Sequence, residues 1–169
     1  MQPVTAPQPT LSLAPGHDHA GCRDKALKTA ERLCDSRGVR LTPIRRQVLL
    51  LIWDSHKAVK AYDLLDRIKP EAGTAKPATV YRALDFLLQQ GLIHKVESLN
   101  AFIGCCYSEQ QHQQLLLTCS QCQEVEERPA AGVMAAIAKE LEQAAFVIHH
   151  KAIEIHGLCG RCAPYQSSN

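Results

Sequence analysis

The tetrapeptides Cys119-Ser120-Gln121-Cys122 and Cys159-Gly160-Arg161-Cys162, with 36 residues between them, decide the fold of the C-terminal part of this chain. Two residues between cysteines let a tight turn direct both sulfurs at one ion, and zinc takes four such ligands in a tetrahedron. The intervening chain must then bring the two turns together. The result is a closed, structural site, because no coordination position stays open for a reaction. Two disulfides or two redox motifs are the alternative interpretation of this spacing.

Length and composition favour a cytoplasmic protein. The chain has 169 residues, of which 46% are hydrophobic and 5% aromatic, so it can build one large or two small domains around an aliphatic core. No apolar run approaches the roughly 18 residues that span a bilayer. The N-terminus lacks the basic and then apolar pattern of a signal peptide. We therefore expect no membrane partner, and cysteines that bind metal rather than form disulfides.

Charge is distributed unevenly along the chain. Residues 23–96 hold 15 Lys and Arg against 8 Asp and Glu, whereas the remainder holds 4 against 9. The first half is therefore suited to a polyanion and the second half is not. An ordinary solvated surface explains the same excess of basic residues.

Apolar spacing predicts several helices before the cysteine pairs. Residues 1–22 are rich in proline and polar residues, which predicts a disordered tail. Helices are predicted over about 23–36, from Thr42-Pro43 onward, over about 61–68, and from about 77–79 to just before Gly91. Thr42 is a good N-cap residue and Pro43 suits the first helical position.

The pattern changes to strands after Gly91. Residues 92–97 alternate, residues 98–100 form a turn, and residues 101–107 predict a second strand. Helices followed by such a hairpin make a winged helix-turn-helix domain over residues 23–108, with the helix at 79–90 as its recognition helix. Residues 109–114 form a polar hinge. Residues 115–169 read as strands around the first cysteine pair, one amphipathic helix and a last strand, so the whole is an α+β chain with a small C-terminal α/β domain.

Several motifs in this order resemble the ferric uptake regulator (Fur) family over about residues 23–162. The stretches that carry the resemblance are Val39-Arg40-Leu41-Thr42-Pro43-Ile44-Arg45, Pro77-Ala78-Thr79-Val80-Tyr81-Arg82-Ala83-Leu84-Asp85-Phe86-Leu87, Ala61-Tyr62-Asp63-Leu64-Leu65, His94-Lys95-Val96-Glu97-Ser98 and Ile153-Glu154-Ile155-His156-Gly157-Leu158-Cys159. The last three look like the zinc-sensing members in particular.

The resemblance implies a homodimeric, zinc-dependent repressor that binds double-stranded operator DNA at an AT-rich inverted repeat and controls zinc-import genes. It implies that residues 115–169 form the dimerisation and metal-binding domain. It also implies two Zn²⁺ ions per subunit, one structural and one regulatory. A family feature is reduced here, because the histidine-rich run before the first cysteine pair is represented only by His112 among glutamines.

A second set of potential zinc ligands lies on both sides of the hinge. His94 and Cys105 belong to the predicted hairpin, which would place them side by side, while His112 lies in the hinge and Glu127 in the second domain. One ion held by all four would join the two domains. In the resemblance these four residues match the regulatory site one by one. Their mixed nitrogen, sulfur and oxygen atoms suit tetrahedral zinc, whereas an oxygen- and imidazole-rich set suits ferrous iron better.

Ordinary explanations exist for each of these ligands. His94 would be a surface histidine of a strand, and Glu127 would belong to a solvated acidic edge. Cys105 and Cys106 are neighbours, and side chains alternate along a strand, so only one of them should face the site. The resemblance favours Cys105.

The predicted DNA contacts lie on the helices of the first domain. Arg82 is on the exposed face of the recognition helix, where a guanidinium can pair with a guanine edge. The resemblance implies base contacts for Tyr62 and Arg82. Thr79 and Tyr81 are placed to bind phosphate near the helix start, although core packing is the alternative for Tyr81.

Three other functional classes compete with a zinc-responsive regulator. A plain zinc-ribbon interaction module would explain the cysteines but not the winged-helix half. A redox- or iron-responsive regulator of the same fold would use metal-bound thiolates as sensors. A zinc deaminase needs a His-x-Glu motif and a Pro-Cys-x-x-Cys motif. Neither cysteine pair follows a proline, and the chain has no His-x-Glu, so we expect no enzyme.

Overall fold

A computed structural model of the chain describes residues 19–54, 57–68, 76–108, 114–146 and 152–163. Within these ranges the helices are α1 (His19–Ser36), α2 (Pro43–Ile52), α3 (Ala61–Arg67), α4 (Pro77–Gln89) and α5 (Ala131–Gln143). The strands are β1 (Val59–Lys60), β2 (Ile93–Val96), β3 (Ala101–Gly104), β4 (Gln114–Cys119), β5 (Val125–Pro129) and β6 (Ala152–Gly157). No helix in the described ranges has both the length and the apolar character needed to cross a bilayer.

The first four helices begin and end largely where the sequence pattern predicts. Pro43 and Pro77 occupy the first turns of α2 and α4, where the missing N–H costs nothing. Gly38 and Gly91 follow α1 and α4 with φ angles of 64° and 65°, the left-handed region that glycine enters freely. Helix α1 begins at His19, so the last residues of the predicted tail are helical. Residues 1–18 lie outside the described residues.

Helix α4 carries the core of the first domain on one side only. The apolar spacing of this segment predicts Val80, Ala83, Leu84, Leu87 and Leu88 as its buried face. The buried residues are Val80, Ala83, Leu84, Phe86 and Leu87, and Leu88 is half-buried. These side chains pack with Val48 and Leu49 of α2 and Leu64 of α3. The opposite side of α4 is exposed, as expected of a recognition helix.

Strands β2 and β3 form the wing, joined by a short 3-10 helix over Glu97–Leu99. The short strand β1, which the sequence pattern does not reveal, pairs with the other side of β3. The sequence predicts that the second strand of the wing ends at Tyr107. Strand β3 instead ends at Gly104, because the chain turns over residues 106–108. The Cys105 N–H still donates to the Leu92 carbonyl, so Cys105 continues the hairpin by one residue.

The C-terminal unit is a three-stranded sheet with the order β5-β4-β6 and the single helix α5 in the connection before β6. Strand β5 is antiparallel to β4, and β6 is parallel to it. Because parallel strands end at the same edge of a sheet, β4 and β6 deliver the two cysteine pairs to one place. The apolar run from Phe146 to His156 predicts the last strand, and the strand found there, β6, begins at Ala152; residues 147–151 lie outside the described residues.

The wing lies against the C-terminal sheet. A small apolar cluster joins them, made of Val96 and Ile103 from the wing and Leu116 and Val125 from the sheet. Lys57 also forms an isolated antiparallel bridge with Glu124. The molecule is thus an α+β chain whose N-terminal winged-helix unit meets the C-terminal α/β unit through the wing.

Candidate metal centres and nucleic-acid surface

The two Cys-x-x-Cys pairs come together in one cluster of four sulfurs. The four sulfur atoms lie within 4.8 Å of one another, and those of Cys122 and Cys159 are 3.8 Å apart. Tetrahedral zinc with Zn–S distances of about 2.3 Å holds its sulfurs roughly 3.8 Å apart, so this separation fits the ion. All eight cysteines lie in the described residues, and none forms a disulfide.

The electrostatics of the cluster favour a cation. The Cys159 N–H donates to the Cys119 sulfur at 3.4 Å. Backbone hydrogen bonds, that from Cys122 foremost, lower the pKa of the Cys119 thiol to about 6. Hydrogen bonding to Cys159 raises the pKa of the Cys162 thiol to about 12. Four sulfurs this close repel one another as thiolates, so a metal ion is needed before all four can lose their protons.

A second cluster brings together His94 of β2, Cys105 just after β3, and Glu127 of β5. Their potential ligand atoms lie within 4.8 Å of one another. The His94 Nε2 atom is 2.7 Å from Glu127 Oε1, and the Cys105 sulfur is 3.9 Å from the same oxygen. All three residues are about 95% buried. A nitrogen, a sulfur and an oxygen from two structural units therefore converge inside the protein.

Strand pairing explains why His94 and Cys105 face the same side. His94 pairs with Ile103, and directly paired side chains share one face of the hairpin. Cys105 follows Ile103 by two residues and keeps that face. The two ligands are thus diagonal neighbours at the end of the hairpin, rather than direct partners.

The backbone of Cys106 fixes the orientation of the Glu127 carboxylate. Its N–H donates to Glu127 Oε2 at 2.8 Å, which leaves Oε1 directed at His94 and Cys105. Such hydrogen bonds to the second oxygen commonly orient metal-binding carboxylates. The side chain of Cys106 itself packs against the core of the first domain.

Burial of this second cluster makes an unpaired charge there energetically unfavourable. Burial first, and the nearby Glu127 carboxylate second, raise the pKa of the Cys105 thiol above its ordinary value. The same two causes raise the pKa of Cys106 to about 12. A buried thiol next to a carboxylate is stabilised by a proton or by a cation. Three protein ligands of mixed type fit zinc, which completes its tetrahedron with one more.

His112, the predicted fourth ligand, lies outside the described residues. The described chain resumes at Gln114, which pairs with Pro129, two residues after Glu127. The histidine is thus close in sequence to the strand that borders the second cluster.

The predicted DNA contacts are exposed on the first unit. Tyr62 is 69% exposed and Tyr81 50% exposed, while Thr79 and Arg82 are exposed on α4. Tyr81 is therefore not a core residue, which removes the alternative explanation for it. Arg45 is engaged within the protein, because its guanidinium lies 3.5 Å from the centre of the Phe86 ring and donates to the Arg40 carbonyl.

Sequence reasoning missed two features near these sites. The Glu154 carboxylate of β6 accepts hydrogen bonds from the backbone of the wing. Its only signal is an acidic residue within the apolar alternation Ile153-Glu154-Ile155. The Trp53 indole packs directly on Gly104, next to Cys105, and no sequence pattern indicates that contact.

Comparison with known proteins gives consistent matches. The Ferric uptake regulator family matches residues 36–156. The zinc uptake regulation protein of Escherichia coli (strain K12) is 42% identical over 142 residues, which are 83% of each chain. A zinc uptake regulator solved in complex with zinc and DNA is 42% identical, with a TM-score of 0.80 over 86% of this chain and 97% of that one. The crystal structure of holo XcZur is 41% identical, with a TM-score of 0.76 over 83% and 99% of the two chains.

Proposed function

The chain belongs to the ferric uptake regulator family, and we propose that it is a zinc-responsive transcriptional repressor. In this proposal the protein binds operator DNA as a homodimer when it is loaded with zinc, and it represses zinc-uptake genes. It is a regulator rather than an enzyme, like the relatives it matches. As a regulator that binds DNA, it would work in the cytoplasm.

The buried cluster of His94, Cys105 and Glu127 carries this proposal. Its ligands come from the wing of the DNA-binding unit and from the sheet of the second unit. Zinc bound there, with His112 as fourth ligand, would supply the cation that neutralises the buried thiolate and carboxylate. The three side chains would then hold the wing at one position on the sheet. A DNA-binding domain held in one orientation loses less entropy on docking, so its affinity for DNA rises.

The four-cysteine cluster has a different task in the proposal. Cys119, Cys122, Cys159 and Cys162 would hold a second zinc that has no open position and ties the ends of β4 and β6 together. This makes two Zn²⁺ per subunit. Metal binding at such a site is largely folding free energy, on the order of 10 kcal/mol in small zinc domains. The C-terminal unit therefore depends on it at all zinc levels at which the sensor works.

Exposed apolar surface on the C-terminal unit supports the homodimer. Helix α5 fully buries only Met134 among its residues, whereas Val133 is 48% exposed and Ile155 of β6 is 50% exposed. Strand β6 also lies at the edge of the sheet. A second copy of the chain packed on exposed apolar residues of this unit would cover them, in a two-fold arrangement.

A two-fold dimer would present two copies of α4 to DNA, so the proposed operator is an inverted repeat, and the family resemblance supports an AT-rich sequence for it. Arg82 and Tyr62 would contact bases, and Thr79 and Tyr81 would contact the backbone. All four are exposed on the unit that carries the excess of basic residues. Binding should weaken steeply with salt, because each neutralised phosphate releases counterions.

An iron- or redox-responsive regulator of the same fold is the less favoured alternative. Iron(II) prefers oxygen and imidazole ligands, whereas the second cluster contains a buried cysteine sulfur. The relatives at about 42% identity are zinc regulators by name. Both observations favour zinc.

A DNA-binding titration with buffered free metal tests the proposal. The purified protein is titrated against an AT-rich inverted repeat while free zinc is set from picomolar to micromolar, and the series is repeated with iron(II) and manganese(II). We expect binding to switch on with zinc alone and only on the repeat, with a scrambled duplex as control. Binding that responds to another metal, or that ignores metal, would overturn the proposed sensor while leaving the fold intact.

A further inference from the structure

Two carboxylates lie in one row across the C-terminal sheet. Glu127 of β5 and Glu154 of β6 both pair with Leu116 of the central strand β4. Directly paired residues on neighbouring strands share one face of a sheet. That face lies under the wing, because Leu116 is fully buried against Val96 and Ile103 of the wing. Glu127 and Glu154 therefore stand on either side of one apolar contact between the two units.

The two carboxylates hold opposite ends of the same wing strand. Glu127 meets His94 near the start of β2. Glu154 meets the 3-10 helix that follows β2, because its Oε1 accepts the Glu97 N–H at 2.5 Å and its Oε2 accepts the Ser98 N–H at 3.1 Å. Residues 94 and 97 are roughly 10 Å apart along an extended strand.

The contact at Glu154 is a strong one. The first N–H groups of a helix have no partner within the helix, and a carboxylate satisfies them with charge-assisted hydrogen bonds. Burial opposes ionisation of Glu154, but hydrogen bonds from the Ser98 hydroxyl and from the two N–H groups hold the pKa of the carboxyl below its usual value. The His156 Nε2 atom lies 4.0 Å from Glu154 Oε2. None of these contacts needs a metal.

We propose that Glu154 is a positioning residue that anchors the turn of the wing to β6 before zinc binds, and so sets the zinc concentration at which the second site fills. The inference rests on the proposed function of that site. With the turn anchored, the wing stays against the sheet, and zinc binds His94, Cys105 and Glu127 where they are already close together. Without the anchor, the ion must also order the wing, so part of its binding free energy is lost.

The substitution Glu154→Gln tests this, with zinc affinity measured by competition against a chelator of known strength. A carboxamide keeps the size of the side chain, but its oxygen can accept only one of the two N–H groups, and its NH₂ group then faces the other. We expect second-site zinc affinity to fall by about tenfold, the effect of losing one charge-assisted hydrogen bond. The zinc midpoint for DNA binding should shift equally, while DNA affinity at saturating zinc changes by less than about twofold.

Glu126→Gln is the matched control. Glu126 is the neighbour of Glu127 on β5, but it pairs with Leu117 and so faces the other side of the sheet, where it meets Arg128 at 3.5 Å. The zinc concentration at the midpoint of DNA binding should be the same for Glu126→Gln as for the unsubstituted chain. Both variants should keep the four-cysteine zinc.

Two further measurements keep the proposal testable should Glu154→Gln fold poorly. Ser98→Ala removes one hydroxyl contact and should shift the zinc midpoint in the same direction by less. Hydrogen exchange at the Glu97 and Ser98 amides should be slow in the unsubstituted protein even when only the four-cysteine site holds zinc. Fast exchange there, or an unchanged zinc midpoint in a folded Glu154→Gln protein, would overturn the anchor. If DNA binding by the unsubstituted protein does not depend on zinc, the proposed function is wrong. The zinc affinity and the amide exchange rates still test whether Glu154 anchors the turn of the wing.

Discussion

The His94 imidazole and the Glu127 carboxylate are separated by 33 positions in sequence, yet their Nε2 and Oε1 atoms lie 2.7 Å apart. Their side chains are 5% and 1% exposed. One belongs to the wing and the other to the C-terminal sheet. Any cation held between them therefore links the wing of the winged-helix unit to the sheet of the C-terminal unit. This relationship supports our proposal that the second cluster, rather than the four cysteines, is the sensor.

Substitution of Cys105 should separate sensing from folding. Cys105→Ser should lose the second zinc and the zinc dependence of DNA binding, because the hydroxyl of serine is a much poorer zinc ligand than a thiolate. The four-cysteine site is built from other residues, so one zinc per subunit should remain. Metal content by mass spectrometry and the zinc-buffered DNA titration measure both effects.

Cys106→Ser is the matched control for that experiment. The backbone N–H of Cys106 donates to Glu127 at 2.8 Å, and the Cys106 thiol also hydrogen-bonds Glu127. Serine keeps the N–H group and replaces the thiol with a hydroxyl that can donate to the same carboxylate. Both zinc ions and the zinc response should be retained. If Cys106→Ser abolished the response and Cys105→Ser did not, the choice between the neighbours would have to be reversed.

Loss of one ligand from the four-cysteine cluster should disrupt the C-terminal unit. Cys122→Ser removes a sulfur that lies 3.8 Å from that of Cys159. The zinc contribution of about 10 kcal/mol is comparable to the whole stability of a typical domain. We expect a monomeric or misfolded protein without DNA binding, measured by sedimentation and circular dichroism. Cys22→Ser, outside both clusters, should behave like the unsubstituted chain, whereas a stable DNA-competent Cys122→Ser dimer would contradict the structural role.

We expect Arg82 to contribute to the discrimination between operator sequences more than to the charge-based affinity for any DNA. Arg82→Ala should cost about 1–3 kcal/mol of discrimination at the base pair it reads, because a bidentate contact to guanine is lost. Arg82→Lys keeps the charge but not the planar fork, so it should lose most of the discrimination and keep the salt dependence. Binding to the repeat and to single-base variants of it at several salt concentrations measures this. Equal discrimination by arginine and lysine would show that Arg82 contacts phosphate only.

Local patterns predicted most of the fold, because each is a property of a short segment. Proline at the start of α2 and α4, glycine after α1 and α4, and apolar periodicity within α4 all act over one or two helical turns. The bounds of the wing were less accurate. The end of β3 depends on how Cys105 and the turn after it pack, and that is not visible in strand propensity.

The sites divide in the same way. The spacing of the four cysteines predicts their cluster, since two residues between ligands suffice to direct both at one ion. His94, Cys105 and Glu127 come from three parts of the chain. Local sequence left His94 and Glu127 open to an ordinary surface explanation and did not decide between Cys105 and Cys106. The shared row of Glu127 and Glu154 depends on the register of three strands, and register is a tertiary property that one sequence does not reveal.

The close packing of Trp53 on Gly104 gives a prediction about the second cluster in which none of the proposed zinc ligands is substituted. A Cβ atom at Gly104 would overlap the Trp53 indole, whose ring belongs to the buried core and has little room to move. Gly104→Ala should therefore destabilise the protein by about 1–3 kcal/mol and displace the adjacent Cys105, so second-site zinc affinity should fall as well. Trp53 is the only tryptophan of the chain, so its fluorescence reports the displacement directly.

Gly132→Ala on α5 is the control, because its Cβ would meet no described atom within 4 Å and alanine favours helix. Equal stability and equal zinc affinity in the two variants would show that the indole moves aside freely, and that the position of Cys105 does not depend on this contact.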